Sequence, residues 1–335
     1  MTASRPAACP SRSARAAAAL TLASLGLSAC AAEGAPSPAG DGDYPMTVEN
    51  CGEEVTFGAE PERIALLETA PVTILDGLGL MDRVVVRAGD FPAEYYSPEL
   101  HAQIQDIESL SDDLDASGHL MISQEEVVAH SPDLALGQPD GVERAGLEAA
   151  GVNLLIQELY CPEPAAEASF ETVYAEIEAY GEIFGEQEAA QELIGDLQSR
   201  VETVAEQAEG EDRTAAVLYP TVGGGSSYAY GNRSMAHPQL EAAGFENVFA
   251  DADERVFEVQ LEELVDRDPD VLILLYQGEE AGVEETITSL PGAESMTAVR
   301  EGQIHTQLFN FTEPATPLSV DGLEQISERF QDGEG

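Results

Sequence analysis

The chain contains no lysine, and that absence excludes several chemistries outright. Schiff-base formation, the SxxK motif and the Walker A phosphate cradle each need a lysine amine. No HExxH and no GxSxG occurs either. Gly224-Gly225-Ser226-Ser227 is glycine-rich, but a phosphate cradle would want a lysine after it. These absences speak against an exported enzyme. Positive charge is scarce throughout: 14 arginines stand against 64 carboxylates, for a net charge of −50. Nucleic acid and anionic membrane surfaces are therefore poor partners. Aromatics make up only 6% of residues, which together with such charge can signal disorder. The 43% apolar content and clear periodicity argue instead for a folded chain. Beyond an apolar run near the start, no stretch approaches the roughly 18 consecutive apolar residues of a membrane span.

That run follows a basic segment. Arg5, Arg12 and Arg15 precede apolar Ala16 to Ala29, which ends in Leu27-Ser28-Ala29-Cys30. The ending resembles the lipobox of bacterial lipoproteins. It implies a signal peptide over residues 1–29, a lipid on Cys30 and a place on the outer face of the cytoplasmic membrane. An ordinary secretory signal with an incidental cysteine is the alternative. Residues 30–44 are small, polar and rich in Pro and Gly, as in a flexible tether. After Ala29, 11 arginines against 64 carboxylates give a net charge of −53. A lysine-free, glutamate-coated surface fits work in high salt, where screening suppresses self-repulsion. Four cysteines occur: Cys9 leaves with the signal, Cys30 takes the lipid, and Cys51 and Cys161 remain. In an oxidising compartment these two are expected to pair, the alternative being two unlinked buried thiols. Without a CxxC or a nearby histidine, a two-cysteine metal site has little support.

What is present in quantity is helical periodicity in the middle of the chain. Phe170, Val173, Ile177, Tyr180 and Phe184 fall in steps of three and four, Gly185 interrupts, and Ala190, Leu193, Ile194, Leu197, Val201 and Val204 resume the pattern. The second helix, read as Glu186 to Glu209, would be about 35 Å long. On each side lie segments that alternate between strand-like and helix-like. A hairpin over Tyr44 to Phe57 comes first, with short apolar strands at Ile64–Leu67, Val84–Val86, Leu134–Leu136 and Asn153–Ile156 after it. Beyond the long helix come strands at Thr214–Tyr219, Phe245–Phe249, Val271–Leu275 and Ile304–Thr306, a Gly/Ser/Tyr-rich loop over Pro220–Asn232 and a last helix from Leu318 to Phe330. The expected fold class is α/β: two Rossmann-like lobes with parallel sheets joined by a single long backbone helix. The lobes are placed at residues 45–165 and 210–332, with linking helices over 166–209.

One internal repeat stands out. Glu125-Glu126-Val127-Val128 followed by Pro132-Asp133 matches Glu262-Glu263-Leu264-Val265 followed by Pro269-Asp270, at identical spacing. Each lobe thus presents a glutamate pair at a helix start, where the dipole favours carboxylates. These units, the lipobox, Pro61-Glu62-Arg63-Ile64, Gly77-Leu78-Gly79 with Arg83-Val84-Val85, and the long helix together resemble bacterial substrate-binding proteins of iron–siderophore, cobalamin and haem ABC importers. Asn50-Cys51-Gly52 places the nearest resemblance among actinobacterial iron–siderophore binders. The resemblance implies a monomeric, non-enzymatic protein, held to the membrane only by its lipid, that delivers a small-molecule metal chelate to an importer permease with its ATPase. It also implies that Glu125 and Glu262 dock on the permease, with Glu126 and Glu263 as neighbours able to replace them.

Ligands of parallel-sheet proteins sit beyond the carboxyl ends of the strands. Those ends carry Glu68, Thr69, Arg87, Phe91, Tyr95, Tyr96 and Gln138 in the first half. In the second half they carry Tyr219, Tyr228, Tyr230, Arg233, Tyr276, Gln277, Phe309, Asn310 and Phe311. Tyrosine and arginine suit a bulky, polar, conjugated ligand, and Arg87 and Arg233 suit an anionic chelate. An Fe(III)–siderophore is the expected cargo, needing no further cofactor. Cobalamin, haem and a deazaflavin-type cofactor precursor are the runners-up. A bare Zn or Mn ion would need several imidazoles at the cleft; of the five histidines only His119 and His305 are placed within reach of it.

Overall fold

A computed structural model describes residues 44–111, 120–161, 168–208, 213–223 and 225–331. The signal segment, Cys30, nearly all of the tether, His119 and Gly224 lie outside the described residues, as do the outermost positions of the predicted linker.

The first lobe opens with the expected hairpin, β1 (Met46–Asn50) against β2 (Glu53–Phe57), antiparallel with Asn50 opposite Glu53. Its turn is Cys51-Gly52, both at positive φ, as a tight two-residue hairpin requires. There follow β3 (Ile64–Leu66), α1 (Val72–Gly77), β4 (Val84–Arg87), α2 (Pro98–Asp106), α3 (Gln124–Ala129), β5 (Leu134–Leu136), α4 (Arg144–Ala149) and β6 (Asn153–Leu155). These strands form one parallel sheet in the order β4-β3-β5-β6. Alternate residues of β3 and β5 enter two separate cores. Ile64, Leu66, Leu134 and Leu136 face one side, Ala65 and Ala135 the other. The sheet is therefore buried on both faces, which is why its strands read as unbroken apolar runs.

Two helices lead out of the lobe. α5 (Phe170–Phe184) ends at Gly185, whose φ of 69° is the left-handed conformation that closes a helix. α6 (Gln187–Gln207) runs for 21 residues, about 31 Å. Ala190, Ile194 and Leu197 pack into the first lobe's core and Val204 into the second's. One helix thus has its ends in two cores.

The second lobe holds β7 (Thr214–Pro220), β8 (Ser227–Tyr230), α7 (Ala236–Ala242), β9 (Glu246–Asn247), β10 (Val256–Val259), α8 (Leu261–Arg267), β11 (Val271–Tyr276), α9 (Val283–Thr288), α10 (Thr297–Glu301) and β12 (Ile304–Leu308). Its sheet runs β10-β8-β7-β11-β12, with β9 also on β7. The stretch expected as a loop over Pro220–Asn232 contains a strand. β8 doubles back antiparallel on β7 and pairs with β10, so this sheet is mixed where a parallel one was expected. Gly223, Gly225 and the serines spelled a loop; Tyr219 opposite Tyr228 supplies the cross-strand pair that makes a ladder.

The final helix, α11 (Pro317–Gln331), also spans both cores, with Leu318 and Val320 in the first and Leu323, Ile326 and Phe330 in the second. Arg200 of α6 clasps Asp321 and Glu324 of α11. The linkage between lobes is therefore a braced pair of helices, a feature the sequence pattern did not reveal.

The internal repeat has a structural basis. Asp133 accepts the backbone N–H groups of Glu62 and Arg63 at 2.9 and 3.0 Å, just ahead of β3. Asp270 accepts the N–H and hydroxyl of Thr214 at 2.9 and 3.0 Å, at the start of β7. The Pro-Asp of each half pins the amino end of that lobe's central strand.

Candidate functional site

The carboxyl ends of both sheets face one cavity of about 1070 Å³. The first lobe lends Glu68 and Thr69 after β3, Asp90 after β4, Gln138 and Asp140 after β5, and Tyr160 beyond β6. The second lends Tyr219 at the end of β7, Tyr228 at the start of antiparallel β8, Tyr276 and Glu279 around the end of β11, and Phe309 and Asn310 after β12. Apart from Tyr228 and Tyr160, each group arrives there because a strand ends there.

Cross-lobe contacts floor the cleft. The backbone N–H of Asn310 donates to the Tyr95 hydroxyl at 2.9 Å, and the Tyr95 ring meets Phe311 edge-on at 5.1 Å. The Arg255 guanidinium stacks over Tyr160 at 5.7 Å and pairs with fully buried Glu313. On the second lobe's wall Tyr219 packs edge-on against Phe309 at 6.0 Å and donates to Gln277 at 3.3 Å. Burial pushes the phenols of Tyr95, Tyr160, Tyr219 and Tyr276 above their ordinary values. At neutral pH they stand as hydrogen-bond donors.

Of the expected cleft residues, Glu68, Thr69, Tyr95, Gln138, Tyr219, Tyr228, Tyr276, Gln277, Phe309 and Asn310 line the cavity. Arg87, Phe91, Tyr96, Tyr230, Arg233 and Phe311 do not, each for a local reason. Arg87 is buried: its Nε donates to the Ile104 carbonyl at 3.0 Å, and its guanidinium lies 5.3 Å from the Phe91 ring. It ties α2 to the sheet. Phe91 and Phe311 are core residues, and Tyr230 is buried among α7 and β11 side chains. Tyr96 turns its hydroxyl to the Thr69 carbonyl at 3.5 Å. Arg233 forms a two-pronged pair with Asp253 at 2.8 and 3.0 Å. His305 sits edge-on to Phe330 of α11, away from the cavity. Tyr160 was missed because it lies five residues beyond the end of β6, next to Cys161, where no strand end points to it.

Glu68 is the most unusual side chain of the cleft. Gly137 has a φ of +95°, and a Cβ there would stand 2.7 Å from Glu68 Cγ, so only glycine leaves the carboxylate room. Its Oε1 is buried with no hydrogen-bond partner among the described residues. Burial pushes the carboxyl up to about 7, and its charge in turn presses on Tyr160, Glu176 and Tyr180. Burial likewise pushes Glu313 up to about 7, against the pull of Arg255, with Tyr160 and Tyr230 facing the pair. Between pH values of about 4.5 and about 7 both acids hold a proton in the folded state that the unfolded chain, with its ordinary carboxyl value of 4.5, has released. Stability therefore falls as pH rises from about 4.5 to about 7 and levels off above. The melting temperature in molar salt is expected to drop across that window, by roughly 2–4 °C per kcal/mol lost. Glu68→Gln should flatten the slope; an unchanged slope would show that Glu68 ionises freely.

Each lobe also carries a glutamate pair at a helix start. Glu126 is engaged in a capping box with Ser123, accepting its backbone N–H at 3.0 Å. Glu263 accepts from Arg267 at 3.1 Å. Glu125 and Glu262 are exposed and have no partner among the described residues. Cys51 and Cys161 form a disulfide. No helix among the described residues is long and apolar enough to cross a membrane.

Residues 64–307 match the family described as periplasmic binding protein. A solved chain of an ABC-type Fe3+-hydroxamate transport system from Saccharomonospora viridis is 55% identical, with 86% of this chain and 99% of that one covered and a TM-score of 0.81. An uncharacterized ABC transporter substrate-binding lipoprotein of Bacillus subtilis is 23% identical over 85% of both chains. A cobalamin-binding protein of Halobacterium salinarum is 23% identical over 86% of this chain and 74% of its own. Two sheets, one cleft at their carboxyl ends, a braced helical link and these likenesses agree: the chain belongs to the periplasmic binding protein family, the substrate-binding proteins of ABC importers.

Proposed function

We propose that this protein is a lipid-anchored capture protein that takes up a ferric siderophore of the hydroxamate class and hands it to an importer permease. The cleft carries the proposal: five tyrosines and a phenylalanine wall a cavity of about 1070 Å³ between two lobes, large enough for a chelate and rich in phenol donors. Such donors match the ring of oxygens around a hexadentate ferric complex, and tyrosine rings give it flat apolar contact. The Fe3+-hydroxamate relative at 55% identity supports the class of cargo. Among the described residues no three His, Cys, Asp or Glu side chains gather to hold a bare ion. The protein binds and releases without altering its cargo. Glu125 and Glu262, one per lobe, are the proposed contacts with the permease, and Cys30 the proposed lipid anchor.

A thermal-shift titration tests the cargo, because a ligand that binds only the folded state raises the melting temperature with its concentration. At a hundredfold excess over Kd the gain is about 2.7 kcal/mol, several degrees for a chain of this length. A ferric hydroxamate is expected to give this shift and its iron-free form none. A shift with cobalamin or haem alone would replace the cargo and keep the capture role.

A further inference from the structure

Among the described residues, no positively charged side chain lines the cleft. Lysine is absent from the chain. All eleven arginines beyond Ala29 lie among the described residues, and each donates to a carboxylate, a carbonyl or a polar side chain elsewhere in the fold. No arginine or histidine lines the cavity among the described residues; Arg255 lies behind Tyr160, matched to Glu313. Four carboxylates do line it: Glu68, Asp90, Asp140 and Glu279. One Glu68 oxygen is buried and has no hydrogen-bond partner among the described residues, while the side chain itself lines the cavity.

We infer that the cleft selects its chelate by charge, admitting neutral or cationic complexes and rejecting anionic ones, with Glu68 as the discriminating residue. This rests on the capture reading above and narrows it. An anionic tris-catecholate or the propionates of haem would leave water for a pocket lined by carboxyl groups and, among the described residues, by no cation. The net charge of −53 beyond Ala29 opposes their approach as well. A ferric trihydroxamate is neutral at the metal, so phenols suffice to hold it, and an ammonium on its tail can meet Glu68. Phenol donors are neutral and bind such a complex without demanding charge.

The test uses one scaffold in three charge states: ferrioxamine B with its free ammonium, its N-acetyl derivative and its N-succinyl derivative. Affinities for the purified protein are measured in molar salt, where the screening length falls to about 3 Å and only close charges still act. The ammonium and acetyl forms should bind at least tenfold tighter than the succinyl form, about 1.4 kcal/mol. Glu68→Gln should shrink the ammonium-to-succinyl ratio about tenfold, and Glu279→Gln serves if the first variant folds poorly. The ratio should also grow as pH rises through about 7, where Glu68 gains its charge. Equal binding of all three forms overturns charge selection while leaving the hydroxamate reading intact. If none binds, but cobalamin binds tenfold better than its monocarboxylic acid, the hydroxamate reading falls and charge selection stands. Silence toward both sets overturns both.

Discussion

Converting Glu125 and Glu262 together to arginine is expected to abolish uptake of the chelate by cells while leaving its Kd for the purified protein unchanged. The expectation follows from how the two glutamate pairs are used. In each pair the second carboxylate is committed within its own lobe: Glu126 to the Ser123 cap, Glu263 to Arg267, which also grips Asp251. The first carboxylate of each pair is exposed, without a partner among the described residues, and is not part of the cleft lining. A permease that presents arginines to both lobes would lose two charge pairs and gain two repulsions. Truncating one partner of a buried interfacial pair costs roughly 2–5 kcal/mol. Two such losses weaken docking at least about a thousandfold, beyond what a cell's concentration can restore. Glu126→Gln and Glu263→Gln are the controls; they should cost some stability, on the order of 1 kcal/mol for the cap, and leave uptake in place. Radio-iron uptake beside a binding titration reads both quantities. Wild-type transport by the double charge reversal would remove the docking assignment.

Replacing Cys51 and Cys161 with alanine is expected to lower the melting temperature by roughly 5–10 °C. The bond joins residues 110 apart in sequence, and closing a loop of that size in the unfolded chain is worth up to about 4.7 kcal/mol in the chain-entropy account. It also fastens the tip of the first hairpin to the segment beyond β6. There the Asn50 side chain already brackets Ile156, donating to its carbonyl at 2.8 Å and accepting its N–H at 2.9 Å. Because Tyr160 lines the cavity and precedes Cys161, ligand affinity should fall together with stability. Calorimetry with and without reductant supplies the number, and thiol labelling of the folded protein should proceed only after reduction. An unaltered melting temperature would mean that the hairpin holds itself in place.

Much of the fold was legible because local rules governed it. α5 and α6 begin and end within about two residues of the periodicity that announced them, since an amphipathic face and a Gly185 stop are local signals. The repeat of Glu-Glu and Pro-Asp marked corresponding places in two lobes, because the aspartates have the same neighbour to pin in each. β8 and β10 were not legible. A four-residue strand next to glycines carries almost no pattern, and its pairing partner is chosen by the whole sheet.

The site divides along a similar line. Strand ends told which residues stand near the cleft, because polypeptide direction alone fixes that. They could not tell which side chains enter it. Arg87 is long enough to reach back to the Ile104 carbonyl, and Arg233 finds Asp253 twenty positions along, so both scarce cations are spent before the cleft is lined. Tyr160 goes the other way, carried in by the segment beyond β6, while Glu68, expected from its strand end, keeps its room through the glycine just after β5. By itself, then, the sequence determined the charge, the lack of lysine, the two cores and the helix between them. Tertiary structure alone decided that no arginine among the described residues faces the ligand cleft, because where a flexible charged side chain points depends on acceptors brought near it by parts of the chain far away in sequence.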